Sequence, residues 1–198
     1  RDLAQLFSKT AIEVCEGQQY DVDFETRDDV TIPEYLKMIE YKTAVLVAAA
    51  LKMGGIIAGA SETSQNNIYD FGLNLGLAFQ LQDDYLDAFG DPKTFGKQVG
   101  GDIIGNKKTF LYLKALELGN STQHRELQDM FSIQPKNPLD KIASIKSIFQ
   151  ESGAADHTQN EIESYTQKAF GVLKKLDVSE DKKDLLQKFG QNLMRRKV

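Results

Sequence analysis

Phe79-Gln80-Leu81-Gln82-Asp83-Asp84-Tyr85-Leu86-Asp87, with Phe89-Gly90-Asp91-Pro92 after it, is the stretch around which this chain is read. On an α-helix each residue turns roughly 100° about the axis and rises about 1.5 Å. With Gln80 as zero, Asp83 falls at about −60°, Asp84 at about +40° and Asp87 at about −20°. One amide and three carboxylates therefore share a sector. Leu75, Ala78, Phe79, Leu81, Tyr85 and Leu86 occupy most of the remaining circumference, which predicts a largely buried helix.

Three buried like charges are costly unless a cation neutralises them. A hard divalent cation with oxygen ligands does so most directly, and Mg2+ commonly pairs one or two carboxylates with substrate phosphates. Asp83, Asp84 and Asp87 are thus candidate metal ligands at a metal–diphosphate site. The competing reading is an ordinary solvated acidic face. Apolar flanks and the preceding Phe79-Gln80 argue against it, because a solvated face needs no packing on its sides.

The chain has 198 residues, enough for one domain with a real core, and a net charge of −5. That charge argues against nucleic acid as a partner. The lone Cys15 excludes an internal disulfide and suits a reducing cytoplasm. The longest apolar run, Ala44 to Ala50 with Leu51-Lys52-Met53, is interrupted by charge, so no membrane span is expected, and no signal peptide is recognisable. Because the sequence opens at Arg1 inside an already periodic segment, it reads as the middle of a larger protein.

Leu3, Leu6, Phe7, Thr10, Ala11 and Val14 predict an amphipathic helix ending near Gly17. Gln18 and Asp21 share a face if that helix runs on. Thr31-Ile32-Pro33-Glu34 has the form of a capping box, opening a helix to about Gly54-Gly55 that carries Lys42 and Thr43. The aspartate-bearing helix is expected from Gln65 to about Phe89, with Gly72 and Gly76 marking close helix packing. A long loop from Lys93 to Asn106 then delivers Lys97, Lys107 and Lys108 beside the acidic helix, as cations suited to a diphosphate. Further helices are expected over Phe110–Leu118, Arg125–Phe131, Asp140–Glu151, Thr158–Leu176 and Glu180–Met194. No strand pattern stands out. His124 and His157 read as surface residues.

Taken together, Phe79-Gln80-Leu81-Gln82-Asp83-Asp84-Tyr85-Leu86-Asp87, Gly96-Lys97, Gly101-Asp102, Lys107 and the upstream Lys42-Thr43, Gln18 and Asp21 closely resemble the trans-isoprenyl diphosphate synthases, the polyprenyl synthetase family. The resemblance implies an all-α, isoprenoid-synthase-like helical bundle around a central cavity, assembled as a homodimer in the cytoplasm. It implies a prenyltransferase that joins an allylic diphosphate to isopentenyl diphosphate in a 1′-4, head-to-tail condensation. By the same analogy Asp83 is the direct Mg2+ ligand (Mn2+ a substitute), with Asp84 and Asp87 orienting metal-bound water or sharing the metal. Lys42 and Lys97 grip the allylic diphosphate, and Thr43 and Gln80 place dipoles near the developing cation. Phe79 packs on the isopentenyl chain, Lys107 touches phosphate, and Asp102 pairs with a lysine. Arg195 and Arg196, with Lys197, resemble the basic terminus that covers isopentenyl diphosphate in some members.

One departure is large. The family's first aspartate-rich motif and its N-terminal Gly-Lys-x-x-Arg element are missing from these residues. The expectation is therefore that residues 1–198 form a single domain, the C-terminal part of a polyprenyl synthetase domain with its N-terminal helices absent, and that this chain alone is impaired in catalysis. A noncatalytic partner subunit of a heteromeric synthase is the alternative; against it stands the retention of Lys42, Gln80, Asp83, Asp87 and Lys97 together. A terpene cyclase is disfavoured because no mixed Asn/Ser/Thr/Glu metal motif occurs.

Overall fold

The computed structural model describes residues 1–91 and 99–195. In order, the helices are α1 (Asp2–Thr26), α2 (Ile32–Ile39), a π-helical turn (Glu40–Ala44), α3 (Val45–Ile57), α4 (Glu62–Phe89), α5 (Gly101–Ile104), α6 (Phe110–Leu118), α7 (Ser121–Phe131), α8 (Leu139–Glu151), α9 (Ala154–Leu173) and α10 (Glu180–Met194). No strand occurs among the described residues.

Local chemistry accounts for most of these boundaries. The Thr31 N–H donates to Glu34 Oε2 at 2.9 Å and the Glu34 N–H to Thr31 Oγ1 at 3.4 Å, so the expected capping box opens α2. Asn120 and Gln123 form a second box at the start of α7. At the start of α4 the Ser64 N–H donates to Ser61 Oγ at 3.2 Å, three residues earlier than the periodicity alone suggests.

The chain divides into two compact units. Among the described residues, the first comprises Arg1–Val22, Leu36–Gln80 and 162–195; the second comprises Asp23–Tyr35 and Leu81–Glu161. Phe71 and Leu75 of α4 pack with Ala169, Leu173 and Leu176 at the centre of the first unit, flanked by Leu51, Leu186 and Leu193. In the second, α6, α7 and α8 pack on one another and α5 lies against α8. Phe110, Leu111, Leu127, Ile145 and Phe149 are buried there.

Two expectations need correction. Gly17 does not end the first helix, which runs on to Thr26. A Cβ on Gly17 would lie 2.3 Å from the Lys42 backbone nitrogen, so glycine is there to let α1 and the π turn touch. Nor is the second helix uniform: it is α-helical to Ile39, π-helical over Glu40–Ala44, then α-helical again. Such single π turns are often found at functional sites, and this one carries Lys42 and Thr43.

Candidate active site

In the first unit, small residues govern the placement of the polar groups. A Cβ on Gly72 would lie 2.8 Å from Ala48 Cα, and one on Gly76 would lie 2.6 Å from Ala44 Cα. Gly72 and Gly76 thus seat α4 directly against the π turn and α3. One turn beyond Gly76, Gln80 meets the π turn through its side chain: the Thr43 hydroxyl donates to Gln80 Oε1 at 2.9 Å. Gly17 acts in the same way on the other side. One turn beyond it, Asp21 accepts from Lys42 Nζ at 2.5 Å, with both side chains partly buried. Lys42, Thr43, Gln80 and Asp21 are therefore held by direct contacts; Gln18 is exposed. Phe79 is half-buried beside Gln80, and Arg195 is exposed at the end of α10.

In the second unit the three aspartates of α4 face different surroundings. Asp83 is partly exposed. Asp84 alone is buried, at 8 % exposure, and its Oδ2 accepts from the Tyr35 hydroxyl. Asp87 turns to the start of α5, where its Oδ2 accepts from the Asp102 N–H at 2.9 Å, while its main-chain carbonyl accepts from the Gly100 N–H. The expectation of three buried carboxylates is thus met only at Asp84: the sector they share spans about 100°, and the buried Tyr35 hydroxyl stands against its Asp84 edge.

Lys107 Nζ lies 3.6 Å from Asp102 Oδ1. Lys108 points elsewhere: its ammonium donates to the carbonyls of Phe24 and Glu25 at 3.1 and 3.4 Å and pairs with Asp28, so it caps the end of α1 instead of facing a phosphate. Lys97 and Arg196 lie outside the described residues. A small cavity of about 10 Å3 behind the motif is lined by Asp84, Asp87, Asp102, Lys107, Phe131 and Phe149. It has room for roughly one water molecule.

Among the described residues, burial and neighbouring carboxylates dominate the electrostatics of this wall. Burial, then the charge of Asp87, raises the Asp102 carboxyl to about 6. Asp87 is also raised, by burial and by Asp83, against the lowering effect of the α5 amides. Tyr35 is raised by burial and by the Asp84 charge, which keeps it a hydroxyl donor. Among the described residues no three His, Cys, Asp or Glu side chains form a ready-made cation cage. A cation here would take one or two carboxylates and complete its shell with water or ligand oxygens, as Mg2+ usually does, and the crowded negative charge fits that demand.

Sequence reasoning missed Tyr35, whose partner is 49 residues away. A tyrosine one turn inside a capped helix, in register with buried positions, was the available signal. It also missed Lys141, which is 2 % exposed and bonds Asn106 Oδ1 and the Ile133 carbonyl. No local pattern marks that lysine.

The described residues define an all-helical class of protein with an aspartate-rich helix and a lysine–threonine π turn. Comparison with known proteins makes the class specific. Residues 1–150 match the polyprenyl synthetase family model. The geranylfarnesyl diphosphate synthase of Aeropyrum pernix is 36% identical over 183 residues, covering 92% of this chain and 56% of the relative. A crystal structure of a geranylgeranyl pyrophosphate synthase superposes with a TM-score of 0.93 at 55% identity, over 100% of this chain and 61% of that one. The geranylgeranyl pyrophosphate synthase from Corynebacterium glutamicum, solved with isoprenyl diphosphate and magnesium, gives 0.90 at 26% identity, over 98% and 55%. The chain belongs to the polyprenyl synthetase family. It spans about half the length of the curated relatives it matches.

Proposed function

We propose that this chain carries the second aspartate-rich wall of an isoprenyl diphosphate synthase. The whole protein would condense an allylic diphosphate with isopentenyl diphosphate, head to tail. The C1–oxygen bond of the allylic substrate breaks, C4 of isopentenyl diphosphate bonds to C1, and a proton is lost from C2. The observation that carries this reading is the Thr43–Gln80 hydrogen bond beside the Lys42–Asp21 pair: oxygen dipoles and a held ammonium, brought together where α4 and α1 meet one π turn.

In this reading Lys42 and Lys97 bind the allylic diphosphate and stabilise it as it departs. Thr43 and Gln80 direct oxygen dipoles toward the charge developing on the allylic carbon. Asp83 is the direct ligand for Mg2+ or Mn2+, and Asp84 and Asp87 share it or orient its waters. Bound Mg2+ would supply charge to the departing diphosphate. Phe79 packs on the isopentenyl chain, Lys107 contacts phosphate, and Arg195 and Arg196 cover the second diphosphate. We further propose a homodimer, supported by the exposed Leu3 and Phe7 on α1, and a cytoplasmic location, supported by the low cysteine content of the sequence, Cys15 alone. Among the described residues no helix is long and apolar enough to cross a membrane.

The test is ligand-linked stability. Mg2+ with inorganic diphosphate is expected to raise the melting temperature more than either alone, by an amount equivalent to about 2.7 kcal/mol at a hundredfold excess over Kd. Asp83→Asn should remove the effect, and in the whole protein it should remove isopentenyl diphosphate incorporation. An unchanged shift in that variant refutes the assignment.

A further inference from the structure

We propose that Tyr35 is a positioning residue for the cation-binding edge of α4: by holding Asp84 inward, its hydroxyl sets the rotation of the helix that leaves Asp83 facing outward. The inference rests on the metal reading above and adds a residue to it.

Tyr35 is 2 % exposed and Asp84 is 8 % exposed, and the hydroxyl of one donates to Oδ2 of the other within the second unit. Nothing about Tyr35 is loose. Its N–H donates to the Thr31 carbonyl at 2.9 Å, in the first turn after the Thr31–Glu34 capping box. Arg27 holds Glu34 from outside at 2.9 Å. The ring packs tilted against Phe110, with centroids 6.4 Å apart. The hydroxyl is thus delivered from a fixed helix end to a fixed depth.

A buried carboxylate needs a donor, and the Tyr35 hydroxyl supplies one. With Asp84 anchored, Asp83 must project about 100° away around the helix. Asp87 falls between the two, about 60° from Asp84 and about 40° from Asp83, where it meets the Gly101–Asp102 backbone. The Tyr35 bond therefore orients the ligand for a cation at Asp83.

The test is Mn2+ binding by electron paramagnetic resonance in the presence of inorganic diphosphate, with melting curves on the same samples. Asp83→Asn serves as the control for the site itself; if it binds Mn2+ as the wild type does, the metal reading fails, whatever Tyr35 does. With that control passed, Tyr35→Phe is expected to weaken Mn2+ binding by about tenfold, the scale of an outer-shell defect. The same change made on an Asp84→Ala background, where no side-chain oxygen is left for the hydroxyl to hold, should have no further effect. A Tyr35→Phe protein that melts earlier but binds Mn2+ with wild-type affinity would show a packing role only and overturn the proposal. Should Tyr35→Phe not fold, Asp84→Asn alone decides, because its amide oxygen still accepts from the hydroxyl. Binding reduced by no more than a few-fold is expected; a loss as large as that of Asp83→Asn would make Asp84 a direct ligand and refute the anchoring role.

Discussion

At Asp102, burial and the charge of Asp87 raise the carboxyl to about 6. An unfolded aspartate releases its proton near pH 4, so between about pH 4 and 6 the folded chain holds more protons than the unfolded one. Stability contributed by this group is therefore fully present below that window, falls as pH rises through it, and stays lower above. The side chain is 25% exposed and the expected penalty at neutral pH is on the order of 2 kcal/mol. In chelator-treated protein, Asp102→Asn should raise the denaturation midpoint at pH 7.5 and leave it nearly unchanged at pH 4. Equal effects at both pH values would contradict the assignment. The ion pair with Lys107 is lost in this variant, but that lysine is half exposed and the pair contributes little.

At the scale of elements, the contact of α4 with the π turn depends on the absence of side chains. Gly76→Ala would put a methyl group 2.6 Å from Ala44 Cα. It should cost about 1–3 kcal/mol through overpacking, although alanine is the better helix former. Gly54 is the internal control: it lies within α3, and a Cβ there meets nothing within 4 Å. Gly54→Ala should stabilise by about 0.5–1 kcal/mol. Urea denaturation midpoints distinguish the two, and similar gains from both substitutions would mean that the close approach does not exist. Because Thr43 and Gln80 meet one turn beyond Gly76, the damaging variant should also weaken binding of diphosphate ligands.

At the scale of the whole molecule, α1 presents Leu3 at 37%, Phe7 at 65% and Val22 at 48% exposure within about 100° of its circumference. These side chains are the candidates on α1 for the interface of the homodimer proposed above. The proposed homodimer predicts a concentration-dependent dimer in sedimentation velocity, weakened by Phe7→Lys. A monomer at all concentrations, or a dimer indifferent to Phe7→Lys, would remove this face from the interface.

The periodicity of the sequence determined the helices, and its motifs determined the family. Apolar spacing is a local property, so α10 and the C-terminal ends of α4, α6, α7 and α8 fall where the pattern places them. The Thr31–Glu34 box is likewise written in four consecutive residues. The π turn, the continuation of α1 past Gly17 and the separate fates of Asp83, Asp84 and Asp87 were decided by the tertiary structure alone. Each depends on a partner far along the chain: Lys42 for Gly17, Tyr35 for Asp84, the Gly101–Asp102 backbone for Asp87. Helical spacing shows that three carboxylates share a sector. It carries no information on what stands opposite each of them, and burial, hydrogen bonding and charge at this site are set by what stands opposite.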